Sequence, residues 1–182
     1  MGFKLLFLET SASFVSPTKY GNFASVSAGW TLSNEAFFPV EGLLNFAKIR
    51  ASWGQTGNNQ IGDFGAIALI APDNYTIDGQ LVPGSFTSTS PNPDLSWETN
   101  TAINLGIDLR FLDNRLSFTT EYYNSKTTDL LLAVPVPQQS GFSQSLQNIG
   151  ELENKGLEFE IKGSNFEFGK NLKLGFNANI TT

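Results

Sequence analysis

Two long runs of alternating residues, Trp97 to Phe111 and Arg115 to Tyr123, constrain this chain more than any other feature. Side chains of a strand alternate between its two faces, so each run predicts an apolar face and a polar face. The two runs predict a hairpin with a two-residue turn at Asp113-Asn114. The apolar faces, which contain no charged residue, hold Thr99, Thr101, Ile103, Leu105, Ile107, Leu109 and Phe111 in the first run and Leu116, Phe118, Thr120 and Tyr122 in the second.

The length of these strands is typical of a membrane barrel. A tilted strand crosses a bilayer in roughly 9 to 11 residues, whereas strands of soluble proteins average about 5 to 6. Further alternating runs bring the prediction to about seven antiparallel strands, including a weak one near the N-terminus. These runs are 22–32, 45–54, 156–162 and 172–180. The sequence therefore predicts an all-β meander of long transmembrane strands.

The connections between the predicted strands alternate between long and short. The turn at Asp113-Asn114 and the segment 163–171 are short, whereas 56–96 and 129–147 are long. Transmembrane barrels have short periplasmic turns and long extracellular loops. In that frame Trp53 and Trp97 lie at the outer membrane boundary, where indole rings are favoured. Residues Ser33 to Phe38 predict at most one helical turn capped by Ser or Asn.

Composition excludes several classes of function. The chain has no Cys and no His, which removes disulfides, thiolate chemistry, imidazole bases and the usual zinc sites. A formal net charge of -6 opposes nucleic-acid binding. No apolar run approaches the length of a transmembrane helix, and Glu9 interrupts the N-terminal apolar run too early for a cleaved signal peptide. We therefore expect no cofactor, no metal and no enzymatic activity.

The charged residues on the polar faces have a structural interpretation and a catalytic one. Glu121, Glu158 and Glu160 could form a carboxylate pair for glycoside cleavage. The polar interior of a barrel more simply predicts that they form salt bridges with Lys162, Arg115 or Arg110. Likewise, 73–78 is predicted to be a plain loop turn, because it lacks the spacing of a calcium loop. The prolines in 134–137 predict a stiff loop.

Four aromatic residues in the long loops are candidates for contact with a ligand or a partner. They are Phe64, Tyr75, Phe86 and Phe142. Aromatic rings stack on sugars and anchor protein interfaces. The alternative is that these rings pack the two loops against each other.

Several blocks of sequence, in their order and rough spacing, resemble the barrel of the SusC/RagA-type TonB-dependent transporters. The blocks are 25–30, 48–58, 92–99, 121–123, 128–131, 148–150 and 154–156. The resemblance implies a barrel of about 22 strands in the bacterial outer membrane, in contact with its lipid and filled by a plug. It also implies import of oligosaccharides or peptides, a SusD-type surface lipoprotein as lid, and energy from the TonB complex through the plug.

On this resemblance, residues 1–182 are part of the β-barrel domain, without the plug and the remaining strands. About seven strands cannot close so wide a barrel, so we expect an open curved sheet and no transport by these residues alone. Two alternatives remain. One is a soluble or secreted β-sandwich that binds sugar, and the other is a non-transporting barrel such as a porin or an adhesin.

Overall fold

The computed structural model describes residues 2–11, 20–38, 43–59, 64–168 and 172–182. Eleven strands lie within these ranges, and all their pairings are antiparallel. They are β1 (Gly2–Ser11), β2 (Tyr20–Thr31), β3 (Leu44–Asn58), β4 (Ile70–Ile77), β5 (Gln80–Thr87), β6 (Glu98–Phe111), β7 (Leu116–Thr128), β8 (Leu131–Pro135), β9 (Gln144–Asn148), β10 (Glu151–Phe168) and β11 (Leu172–Thr181). Seven of them form one sheet in the order β1-β2-β3-β6-β7-β10-β11. The predicted N-terminal strand is confirmed, because β1 pairs with β2 along its whole length.

The sheet has one apolar face and one polar face, because the register keeps residues of like character opposite each other. A row across six strands of the apolar face runs through Trp30, Ile49, Ile107, Thr120, Phe159 and Ile180. The neighbouring row on the polar face runs through Gly29, Arg50, Gly106, Glu121, Glu158 and Thr181. Strand alternation predicted this segregation, and the structure confirms it.

The sheet is open and curved, with β1 and β11 at its edges. Its apolar side chains are exposed, as Leu105 at 49% and Ile107 at 42% illustrate. Among the described residues, no second sheet covers this face. A β-sandwich buries the inner faces of two sheets against each other, so this arrangement contradicts the sandwich alternative. Within the described ranges, no helix has the length and apolar character needed to span a membrane.

The connection between β6 and β7 is longer than predicted. Phe111 pairs with Leu116, so 112–115 form the turn and the predicted two-residue turn is wrong. Leu112, Asp113 and Asn114 all have positive φ angles, between 55° and 64°. Asn45 stabilises this conformation, because its Oδ1 accepts a hydrogen bond of 2.7 Å from the backbone N–H of Asp113.

Strand β10 is also longer than the predicted 156–162, with 18 residues. A shift of register between Gly163 and Phe166 lets the strand continue through most of the segment predicted as a turn. The rest of that segment, 169–171, lies outside the described residues. A β-bulge of this kind disrupts the alternation on which the prediction depended.

The two long connections contain structure of their own. Strands β4 and β5 form one two-stranded ribbon, and β8 and β9 form another. Val134 and Pro135 belong to β8, so only part of the predicted stiff loop is a loop. The predicted helical turn is present as a short 3₁₀ helix at Leu32–Asn34, but its N-cap is Thr31, which makes no side-chain capping bond. The predicted cap at Ser33 or Asn34 is therefore wrong.

Candidate functional site

The centre of the polar face is an ion network around Arg50. Its Nε lies 3.3 Å from Asp108 on β6, and its Nη2 lies 2.6 Å from Glu121 on β7. Thr119 donates a hydrogen bond of 3.2 Å to the second carboxylate oxygen of Asp108. One guanidinium thus connects three strands, because its planar fork of donors can serve two carboxylates.

Gly106 makes this network possible. It lies between Arg50 and Glu121 in the register, and a Cβ there would approach Nε and Cζ of Arg50 to 2.6 Å. Real Cβ atoms essentially never show contacts that short, so an alanine at this position would force the Arg50 side chain to move from its path across β6. The network also offsets an unfavourable pairing, because Glu121 lies directly opposite Glu158 in the register.

The polar face contains salt bridges, as predicted, but one of the predicted pairings is different. Glu160 pairs with Lys162 at 2.6 Å, as predicted. Glu121 pairs with Arg50, so the predicted pairing with Arg110 or Arg115 is wrong. The register explains the difference, because Arg110 lies opposite Phe46 and Ser117, and its guanidinium carbon lies 4.6 Å above the ring of Phe46.

The outer end of the sheet, where the long loops emerge, holds a small hydrophobic core. Phe23, Ala66, Leu95 and Trp97 form it, and Leu95 is fully buried. The rings of Phe23 and Trp97 meet edge to face at 5.5 Å between centroids. Trp97 is only 8% exposed, so its ring packs within this core at the outer end of the sheet, whereas Trp53 is 36% exposed. Sequence reasoning missed Phe23 and Leu95, because their contacts join segments far apart in the chain.

Asn148 and Asn92 join the two long loops. The side chain of Asn148 accepts a hydrogen bond from the N–H of Ser96 and donates to the carbonyls of Ser96 and Asp129, at 2.8 to 2.9 Å. Asn92 donates to the carbonyl of Leu146 at 2.9 Å. The loops 64–97 and 129–150 therefore form one connected unit, which we call the outer loop unit.

The four predicted aromatic candidates lie at different places in the outer loop unit. Phe86 and Phe142 line one cleft of about 350 Å³ between the loops, together with Gly65 and several Ser and Thr hydroxyls. Phe64, next to Gly65, is 53% exposed and has a positive φ angle. Tyr75 lies on the ribbon of β4 and β5 and donates a hydrogen bond to the carbonyl of Ser85. The structure thus brings two of the four together.

Ion pairs mark the outer limit of the apolar face. On that face of β7, Tyr122 is followed outward by Lys126, whose ammonium lies 2.8 Å from Glu151. The hydrogen bond to Glu151 raises the pKa of Lys126. Nearby, hydrogen bonds from Asn124 and then Lys155 lower the pKa of Glu153. These charged groups lie outside the apolar band, where water is available to them.

A continuous antiparallel sheet of long strands, with an uncovered apolar face and a polar face crossed by ion pairs, is the wall of a membrane-spanning β-barrel. The family model described as TonB dependent receptor-like, beta-barrel matches residues 9–182. The chain belongs to the TonB-dependent receptor family, and the resemblance to its SusC/RagA type is confirmed.

Relatives and solved structures agree with this family. The chain is 34% identical to TonB-dependent receptor P26 of Formosa agariphila over 94% of its length, and 35% identical to TonB-dependent receptor SusC of Bacteroides thetaiotaomicron over 84%. It is similar to a structure of the RagAB peptide transporter, with a TM-score of 0.83 and 31% identity over 98% of its length. The chain spans 18% of P26, 16% of SusC and 20% of the RagAB chain.

Proposed function

We propose that the chain forms part of the barrel wall of an outer-membrane importer that takes up oligosaccharides or peptides. The two-faced sheet is the single observation that carries this proposal. Its apolar face suits contact with lipid, and its polar face suits a water-filled interior. The family and the likeness to a peptide transporter support import over a porin or an adhesin. In this proposal, residues 1–182 belong to one barrel domain and act in transport without catalysis.

Two partners follow from the same proposal. A SusD-type surface lipoprotein would close over the outer mouth of the barrel, and the TonB complex would act through a plug domain. The likeness to the RagAB transporter and to SusC supports both. The partners would meet different ends of the wall, the lipoprotein at the outer loop unit and the TonB complex at the opposite end.

The cleft between Phe86 and Phe142 is the best candidate in this chain for contact with substrate. It is of a size that small ligands occupy, and it combines two rings with the hydroxyls of Thr87, Ser88 and Ser143. Uncharged polar groups and aromatic rings suit a neutral oligosaccharide or an uncharged stretch of peptide. Phe64 and Tyr75, which are exposed outside the cleft, are weaker candidates for contact with the lid.

An epitope tag placed in two turns tests the orientation of the wall. One tag goes into the turn Asp78-Gly79 between β4 and β5, and the control goes into Asp113-Asn114 between β6 and β7. In intact cells that express the receptor at its full natural length, antibody should reach only the first tag. Permeabilised cells should expose both tags. Equal labelling of both tags in intact cells would contradict the proposal.

The import itself needs a separate measurement. Deletion of the gene should abolish growth on the oligosaccharide or peptide that serves as limiting nutrient, and the full-length gene should restore it. Variants Phe86→Ala and Phe142→Ala should lower uptake at low substrate concentration without changing the amount of receptor in the outer membrane. Growth that does not depend on the gene for any such nutrient would overturn the import proposal.

A further inference from the structure

A hollow of about 450 Å³ lies on the polar face across β2, β3 and β6. Lys48, Arg50, Ser27, Ser52 and Asn104 are among the residues that line it. Among the residues that the structure describes, two cations, three hydroxyls and an amide converge on this space, and no carboxylate lines it. These groups are hydrogen-bond donors that suit an anion.

Gly29 accounts for the open space. It lies opposite Arg50 in the register, on the side away from Gly106. A Cβ at Gly29 would lie 3.4 Å from Cε of Lys48, so the lysine stem runs along the space that the glycine leaves. Arg50 therefore has a glycine on each side in its row, one that lets it reach Glu121 and one that leaves the hollow open.

Of the two cations in the hollow, Arg50 is paired with Asp108 and Glu121, whereas Lys48 has no carboxylate in direct contact among the described residues. Asp108 lies opposite Lys48 in the register, but its two carboxylate oxygens are taken by Arg50 and Thr119. Within the described part of the chain, Lys48 forms no ion pair, although its side chain is partly buried. The carboxylates of Glu121, Glu158 and Glu160 line a different hollow on the other side of Arg50.

We propose that this hollow binds the carboxylate of an Asp or Glu side chain, carried by another segment of the same receptor inside the barrel. This inference rests on the proposed function, because it requires the polar face to line a lumen. Lys48 supplies the charge. The hydroxyl of Ser27 can donate to the remaining lone pairs, as can the second N–H of the Asn104 amide, whose first N–H donates to Ser52 at 3.3 Å. The relatives are about five times longer than this chain, so a whole receptor has the polypeptide to supply the partner.

Carbodiimide coupling followed by mass spectrometry tests the inference on the full-length receptor in detergent. The reagent joins a lysine amine to a carboxylate only when the two are in contact. We expect Lys48 to couple to an acidic residue outside residues 1–182, and the coupling to vanish in Lys48→Gln. Lys162 is the internal control, since it should couple to Glu160 in both proteins.

Three outcomes would overturn the inference. If Lys48 coupled to Asp108 alone, the two residues would form a local ion pair. If Lys48 coupled to nothing while Lys162 still coupled to Glu160, no carboxylate would be in contact with Lys48. Coupling to an added soluble acidic peptide, in place of the receptor, would assign the hollow to cargo. Each of these results leaves the topology and uptake experiments unaffected, so a failure here is distinguishable from failure of the proposed function.

Discussion

At the scale of single residues, the arrangement of charged side chains on the polar face depends on two glycine positions. Glycine weakens a strand by roughly 0.5–1 kcal/mol relative to alanine, so its presence at Gly29 and Gly106 requires a reason. Both flank Arg50 in one row of the register. Gly106 gives the guanidinium a path to Glu121, and Gly29 borders the hollow beside Lys48. Both glycines are unfavourable for strand stability, but they leave room for the charged groups around Arg50 on the polar face.

Gly106→Ala should break the bridge between Arg50 and Glu121, because the new methyl group would occupy the space of the guanidinium. The lost ion pair costs about 1 kcal/mol and roughly cancels the gain in strand propensity, so we expect Gly106→Ala to be less stable than Gly29→Ala by about 1 kcal/mol. Unfolding of the full-length receptor in detergent measures the change. Gly29→Ala is the matched control and should be neutral or slightly stabilising. Equal effects of the two variants would contradict this account.

At the scale of elements, the outer loop unit has its own stability. Leu95 and Trp97 supply its buried core, while Asn148 makes two hydrogen bonds to Ser96 across the two loops and a third to Asp129 within its own loop. Backbone groups that water would otherwise solvate are thus satisfied within the unit. Long loops joined in this way hold the cleft of Phe86 and Phe142 in a fixed shape, and a preorganised cleft binds a ligand at a smaller cost in entropy.

Asn148→Ala should loosen both loops together. Each lost hydrogen bond contributes about 1 kcal/mol net, so exchange of the Ser96 amide hydrogen should rise at least about tenfold. Hydrogen exchange with mass spectrometry on the full-length receptor should show the rise in peptides from 64–97 and from 129–150. Asn154→Ala, at an exposed position of β10, should change neither. A rise confined to 129–150 would mean that the loops are independent.

The sequence predicted the wall well and the loops poorly, and the reason is physical. Alternation of apolar and polar residues is a local signal, so it located the strands and both faces from positions such as Leu105 and Asp108. The partners of Trp97 depend on Phe23 and Leu95, which the chain brings together only by folding. The same limit applies to Glu121, whose partner Arg50 follows from the register of three strands.

At the scale of the whole molecule, the open edges decide how residues 1–182 behave alone. Within the described ranges, strands β1 and β11 each leave one side without a partner strand. Unpaired N–H and C=O groups in lipid cost several kcal/mol each, so a free edge cannot remain in a bilayer. We expect residues 1–182 expressed alone to aggregate, and to lack the heat-dependent gel mobility of a closed barrel. A stable detergent-soluble monomer that conducts solutes would contradict this expectation.

Charged substitutions on the two faces of β6 test which face of the sheet contacts lipid and which lines the interior of the barrel. Ile107→Arg puts a cation in the middle of the apolar row, where contact with lipid would cost about 2–4 kcal/mol. Asn104→Arg puts the same cation on the polar face and is the control. The full-length receptor should assemble poorly with the first substitution and normally with the second, as judged by its amount in the outer membrane and its resistance to unfolding. If the two variants assembled equally well, the apolar face would be covered by protein in the assembled receptor, and the lipid-facing orientation of this wall would be wrong.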